Sequence, residues 1–407
     1  MNVRIGLDAR FLTHPQPGGF KTYTVNLVNA LGELDNDIEY VVWVDRIPRN
    51  VTLPRHESLS YRVVRGDVPL VGTPWREQVG LRRQISRDRV DLVHFLCNTA
   101  AVGLRYPFVV TLHDTIQLSL RHGLSSVMAS GGLKRLAIDT YSRQSIIKTA
   151  WRAARVITVS RFEKILVSRA LEIPGERISV THEAADPVFA EASEADRVAS
   201  RVRLEAEHGI RSPFIMGLGY ERRKKVGLLI DAFARLSRSL PDLQLVVVAA
   251  EEGRRETLRR LAVERGVGDR SFFLDRQPRE GLACLFNLTK AFVFPSERES
   301  FGLPILEAMA CGAPVIAMNS TSIPEVAGGA ALLIDGANPD VWATAIRRVL
   351  CESELAYTLQ AGGRRRAASM SWKRCAEATV GVYREVLEEL GVCRRRPQLA
   401  AVQAMDG

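Results

Sequence analysis

Residues 290–318 read Lys-Ala-Phe-Val-Phe-Pro-Ser-Glu-Arg-Glu-Ser-Phe-Gly-Leu-Pro-Ile-Leu-Glu-Ala-Met-Ala-Cys-Gly-Ala-Pro-Val-Ile-Ala-Met. Ala291 to Phe294 is an aromatic and β-branched run of the kind that forms a buried strand. Pro295 ends it, and a polar turn runs from Ser296 to Gly302. Pro304 falls where the first turn of a helix accepts proline without losing a hydrogen bond. Ile305 to Cys311 then reads as a short helix, stopped by Gly312 and Pro314, and Val315 to Ala317 as a second buried strand. The order is strand, acidic loop, helix amino terminus, strand.

Backbone N–H groups at such a helix start form a ready anion site. Glu299 and Glu307 flank it with seven residues between them. A lone phosphate gains nothing from two adjacent acids. A sugar nucleotide does, because carboxylates accept hydrogen bonds from its hydroxyls while amides and cations hold its diphosphate. The plainer alternative leaves Glu299 solvated and Glu307 simply complementing the helix dipole.

Outward from this stretch, strands and helices alternate from residue 2 onward, which argues for parallel sheets with crossover helices. A chain of 407 residues is long for one core and suits two domains. Val3–Asp8, Ile38–Val44, Leu59–Val64, Asp91–Phe95, Pro107–Leu112, Val156–Val159 and Ile178–Thr181 are the expected strands of the first. Pro187 to Arg211 loses strand character and becomes charged. We therefore expect domains at 1–190 and 213–370, joined by a linker at 191–212. A terminal helix is expected at 371–391 and a disordered tail at 392–407. Within the second domain, Phe214–Gly219, Leu243–Ala249 and Phe272–Leu274 are further strands, and 341–366 reads as one helix.

The formal charge of +10 admits nucleic acid, an anionic membrane surface or a phosphorylated substrate as partner. No nucleic-acid module is visible and aromatics are not interleaved with the basic runs, which disfavours nucleic acid. Two basic clusters stand out. One is a helix over 133–155 carrying Lys134, Arg135, Arg143, Lys148, Arg152 and Arg155. The other comprises Trp75, Arg76, Arg82, Arg83, Arg87 and Arg89. Each reads either as a solvated helix face or as peripheral contact with anionic lipid. No apolar run is long enough to cross a bilayer, and no signal peptide is expected before Val3. The six cysteines show no CxxC or zinc spacing, so reduced thiols and a cytoplasmic setting are expected.

Three more sites matter. The loop after the first strand carries Gly18 and Gly19 before a helical pattern at Thr22–Leu34. It reads either as a tight turn or as a loop that lets backbone approach a ligand. His113 stands at the carboxyl end of a strand, where side chains reach the crevice of an α/β sheet, whereas His94 lies inside a strand as a core histidine. Arg222-Arg223-Lys224-Lys225 follows a second-domain strand and reads as a solvated turn or a diphosphate-binding cluster. Asp35-Asn36-Asp37 matches a metal-binding Asp-x-Asp, but it follows a helix and precedes a strand. That is the wrong end of the sheet for a ligand.

The Glu-x7-Glu pair, Ser300-Phe301-Gly302-Leu303-Pro304 within it, and the run from Glu307 to Ala317 resemble the nucleotide-sugar site of retaining GT-B glycosyltransferases. The type is group 1 (family 4), mannosyltransferase-like. The similarity extends to Pro324-Glu325-Val326 and Ala330-Ala331-Leu332-Leu333. It implies two Rossmann-like α/β domains facing across a cleft, with hexose transfer from a nucleoside diphosphate sugar to a hydroxyl. The acceptor would be a sugar, a lipid-linked or a small-molecule alcohol, as in polysaccharide, glycolipid or glycoside synthesis. No metal or other cofactor is implied. In the resembling family the Gly-Gly loop faces donor phosphate and acceptor, and a histidine at His113 lies near the transferred sugar. Arg223 and Lys224 would hold the diphosphate, Glu307 the ribose, and Glu299 with the amides of Ser300, Phe301, Gly302 and Leu303 the hexose. Tyr220 stands where many relatives carry a further arginine, and Asp275-Arg276-Gln277-Pro278 departs from the usual Gly-Tyr-Val-Pro beside the base. An epimerase or phosphorylase of the same fold, or a non-catalytic scaffold, are the rival readings.

Overall fold

The computed structural model describes residues 3–15, 18–35, 37–47, 52–66, 72–115, 132–219, 221–249 and 252–392. Two all-parallel sheets organise it. The first has strand order β3-β2-β1-β4-β5-β6-β7, with β1 Val3–Asp8, β2 Ile38–Val44, β3 Leu59–Val63, β4 Leu92–Phe95, β5 Phe108–Leu112, β6 Arg155–Thr158 and β7 Ile178–Val180. The second has order β10-β9-β8-β11-β12-β13, with β8 Phe214–Leu218, β9 Gln244–Val248, β10 Ser271–Leu274, β11 Ala291–Phe294, β12 Val315–Met318 and β13 Leu332–Ile334. In each sheet the winding reverses once, between β1 and β4 and between β8 and β11. Open α/β sheets bind ligands outside the carboxyl ends of the strands at such reversals.

The central strands, such as β4, β5, β8 and β11, are buried on both faces because helices cover both. Close packing is visible at Gly6 in β1, where an added Cβ would lie 1.9 Å from the Trp43 ring. Only glycine lets that indole lie flat across the strand.

The terminal helix, Trp372–Glu389, follows the second domain in sequence but packs on the first. Trp372, Cys375, Ala376, Val380, Tyr383, Val386 and Leu387 join the core with Tyr23, Leu27 and Leu31 of the first helix, Gly19–Glu33. Each large apolar side chain so buried contributes roughly 1.5–3 kcal/mol. A helix with this many is a fixed part of the first domain's core.

The charged segment between the two sheets holds a helix, Glu194–His208, capped by Ser193 and resting on the second domain through Leu204. Three expectations are corrected. The expected single helix at 341–366 is two, Pro339–Cys351 and Ser353–Ser369, broken where Glu352 turns extended. Arg155 lies in β6, not in the basic helix, and pairs with Glu389 of the terminal helix. Arg76 is not an exposed helix cation: it is 1% exposed and sits 2.7 Å from Asp8. There it joins a buried network in which Arg10 bridges Asp8 at 2.6 Å and Glu77 at 2.5 Å. Lys134 and Arg135 fall outside the described side chains, as do Asn36, Tyr220 and residues 393–407. Among the described residues no helix is long and apolar enough to cross a membrane.

Candidate active site

Lys224 follows β8 and Glu299 follows β11, so the two strands flanking the second reversal bring them together. Lys224 sits in a single 3₁₀ turn, Arg222–Lys224, closed by Lys225 in left-handed geometry. Its Nζ donates to Glu299 Oε1 at 2.5 Å and lies 4.5 Å above the Phe294 ring. Arg223 approaches the same oxygen at 2.9 Å, braced by Glu221 and the Arg298 carbonyl. Ser296 Oγ donates to it at 2.5 Å. Lys224 and Glu299 are 5% and 6% exposed. Burial would raise the Glu299 carboxyl, but Lys224 and Arg223 overcome it and hold the pKa below the usual carboxylate range. Two cations thus converge on one Glu299 oxygen, with Glu221 a second acid on the outer side of Arg223.

The acidic loop is shaped for this. Gly302, at φ +109°, caps the helix Leu303–Ala310 in a conformation disfavoured for residues with a Cβ. Ser322 Oγ donates to the carbonyls of Glu299 and Phe301 at 2.9 and 2.7 Å, and Glu299 N donates to Thr321 Oγ1 at 3.0 Å. Phe301 is buried in the second core, so it anchors the loop instead of facing the crevice. Ser300 is half-buried and accepts from Ser160 Oγ of the first domain at 2.6 Å.

Glu307 is 9% exposed in that helix. Burial pushes its carboxyl up to about 8, with Asp186 and Glu183 adding to the rise and Arg279 and Lys224 opposing it. Lys224, paired with Glu299 at 2.5 Å, is thus also among the charges acting on Glu307.

In the first domain, His113 follows β5. Its Nε2 lies 3.0 Å from the Leu96 carbonyl and its Nδ1 3.6 Å from Glu183, while its backbone N–H donates to Asn98 at 2.8 Å. The ring is wedged edge-on between Phe20 and Tyr23, at 4.7 and 4.5 Å. Phe20 follows Gly18 and Gly19, so the glycine turn and His113 are neighbours. Among the described residues nothing lies within 4 Å of a Cβ added at either glycine. His94 is a satisfied core histidine, 2.6 Å from Tyr383 and 2.8 Å from Thr111. Burial, aided by His113, lowers its pKa to about 3.

Residues 17–189 match the profile of Glycosyltransferase Family 4, and residues 214–366 that of Glycosyl transferases group 1. The chain belongs to the group 1 glycosyltransferases. This glycosyltransferase is 29% identical over 245 residues to the O-antigen chain mannosyltransferase B of Escherichia coli, covering 60% of this chain and 64% of that one. It is 34% identical over 201 residues to the D-inositol 3-phosphate glycosyltransferase of Corynebacterium jeikeium, covering 47% and 48%. The chain thus spans about half to just under two thirds of the length of these relatives. In fold it is similar to a sucrose-phosphate synthase of Thermosynechococcus elongatus (TM-score 0.73, 19% identity, covering 95% of this chain and 100% of that one). It is likewise similar to Anabaena HepE in complex with UDP and glucose (TM-score 0.68, 19% identity, covering 94% and 100%). These likenesses give the glycosyltransferase the GT-B architecture.

Sequence reasoning missed the residues that join the glycosyltransferase's domains. Arg279, opening the helix Arg279–Leu288, reaches Asp186 and donates to Thr22 Oγ1 at 3.1 Å. Asn26 also donates to Asp186, at 3.1 Å. Glu325 of the second domain accepts from the backbone N–H groups of Arg161 and Phe162, at 2.9 and 3.2 Å. It thereby caps a first-domain helix, Arg161–Leu171. The available signal was the polar run Thr181-His182-Glu183-Ala184-Ala185-Asp186 after the last first-sheet strand, where crevice residues gather.

Proposed function

We propose that this glycosyltransferase moves a hexose from a nucleoside diphosphate sugar to a hydroxyl acceptor, with retention of anomeric configuration and without a metal. The observation that carries this is the Lys224–Glu299 pair at the second-sheet reversal, with Arg223 on the same oxygen. Negative charge grows on the departing diphosphate, and fixed cations placed there lower the barrier most. Arg223 and Lys224 supply the charge that a divalent ion would otherwise bring. Glu307, once ionised, accepts from ribose hydroxyls. Glu299 accepts from the hexose alongside the amides of Ser300 to Leu303. His113 contacts the transferred sugar from the first domain, and Gly18 and Gly19 leave room for donor phosphate and acceptor. The route is front-face, assisted by the leaving phosphate, so no covalent carboxylate pair about 5 Å apart is needed. Relatives named for mannosyl and inositol-phosphate glycosyl transfer support the reading, as does a neighbour holding UDP and glucose.

A panel of nucleotide sugars read by thermal shift tests it, since a ligand binding only the folded state raises the melting temperature. The stabilising donor, mixed with candidate alcohols, should give a glycosylated product by mass spectrometry. Stabilisation by none of the common nucleotide sugars would overturn it.

A further inference from the structure

A cavity of about 680 Å³ lies between the domains, lined by Arg161 and His182 of the first, by Glu325 and Arg366 of the second, and by Arg374 of the terminal helix. It is distinct from the proposed donor site: Glu183 turns toward His113, whereas its neighbour His182 turns to Glu325 at 2.7 Å.

The charges in this cavity do not balance. Glu325 is the one acid in its lining, and its carboxylate already accepts two backbone N–H groups and His182. Arg366 donates only to carbonyls, those of Val326 at 2.8 Å and Glu325 at 2.7 Å. Arg374 donates to the Ser369 carbonyl at 2.6 Å. Carbonyls fix a guanidinium's position without neutralising it. Among the described residues none of Arg161, Arg366 and Arg374 has a carboxylate side chain within ion-pair distance, although the chain holds 46 acids. Burial lowers the Arg366 pKa, with only Glu325 opposing. The floor, Val180, Met370 and Cys375, is mainly apolar.

We propose that this cavity binds a small organic phosphate monoester, its phosphoryl group held by Arg161, Arg366 and Arg374 and its carbon skeleton resting on the apolar floor. Guanidinium forks match phosphate oxygens in pairs, and the volume falls within the range of small-molecule sites. Because Arg161 belongs to one domain and Arg366 to the other, the bound phosphate joins both. It therefore favours the interdomain arrangement in which the three arginines converge.

Calorimetric titration with glycerol 3-phosphate at fixed ionic strength, with glycerol as control, tests this independently of glycosyl transfer. One phosphate ester should bind per chain, and glycerol should not. Arg161→Gln with Arg374→Gln should weaken binding by at least about tenfold, the scale of one charged hydrogen bond. Both arginines are exposed, so the variant should keep its melting temperature without ligand, and Arg161→Gln alone provides a milder second case. Lys224→Ala should bind the ester as the wild type does. No binding by the wild type, or equal binding by the arginine variants, would overturn the proposal. Loss of binding in Lys224→Ala would also overturn it, by assigning the phosphate to the donor crevice.

Discussion

Lys224 and Glu299 meet at 2.5 Å with both side chains almost wholly withdrawn from water. Removing one partner of such a pair strands the other charge, at a cost of about 3–5 kcal/mol, whereas replacing both by apolar groups is often neutral. Arg223, on the same oxygen, softens the loss of Lys224. Lys224→Ala should lower turnover by about a hundredfold or more and reduce the denaturation midpoint. Lys224→Met combined with Glu299→Leu should regain that midpoint and stay inactive. A double variant less stable than Lys224→Ala would show the pair to be a net stabiliser.

Glu307 gives the proposed nucleotide site a pH dependence. Its pKa is raised to about 8 in the folded chain from an ordinary 4.5, so the protonated form stabilises the unliganded fold below the unfolded value. That stability is lost as pH rises through the folded value, at a limiting slope of about 1.4 kcal/mol per pH unit. In the proposed reading ribose hydroxyls need the carboxylate, so binding of nucleoside diphosphate should tighten toward pH 8 and release a proton. Calorimetry in buffers of different ionisation enthalpy measures that proton. Glu307→Gln should abolish the release and weaken binding by about 1.5–3 kcal/mol.

The same carboxyl reports on Arg279. Arg279 is the leading charge opposing the rise in Glu307's pKa, and Asp186 the leading charge adding to it. Arg279→Met should move the pH midpoint of nucleotide binding upward. Asp186→Asn should lower it, provided Arg279 keeps its place. Midpoints that do not move would place Arg279 too far away to matter.

For His113, the first-domain location predicts a split effect. Truncation to Ala removes a partner of the Leu96 carbonyl, costing about 1–3 kcal/mol of stability. Binding of the nucleoside diphosphate alone should be unchanged, while kcat falls. Equal losses in both would mean that His113 acts only by holding the domain together.

The contrast between these residues shows what a sequence displays. Lys224 and Glu299 stood out as candidates because each lies in a loop after a strand, and a parallel sheet delivers all such loops to one edge. Arg279 and Asp186 were not, because their contact spans 93 positions and two domains. Arg76 misled for another reason. Its helical neighbours are solvated cations, and only the fold reveals that Asp8 draws it inward. Glu352 lacks the glycine or proline that usually announces a break, so two helices read as one.

The placement of the terminal helix sets an order of assembly. Val382, Tyr383 and Val386 fill the space beside Tyr23 and Leu27, yet a ribosome adds them more than 350 residues later. The amino-terminal domain emerges first and still lacks part of its interior until the other domain has been made. On the ribosome, the half synthesised earliest is the half that must wait.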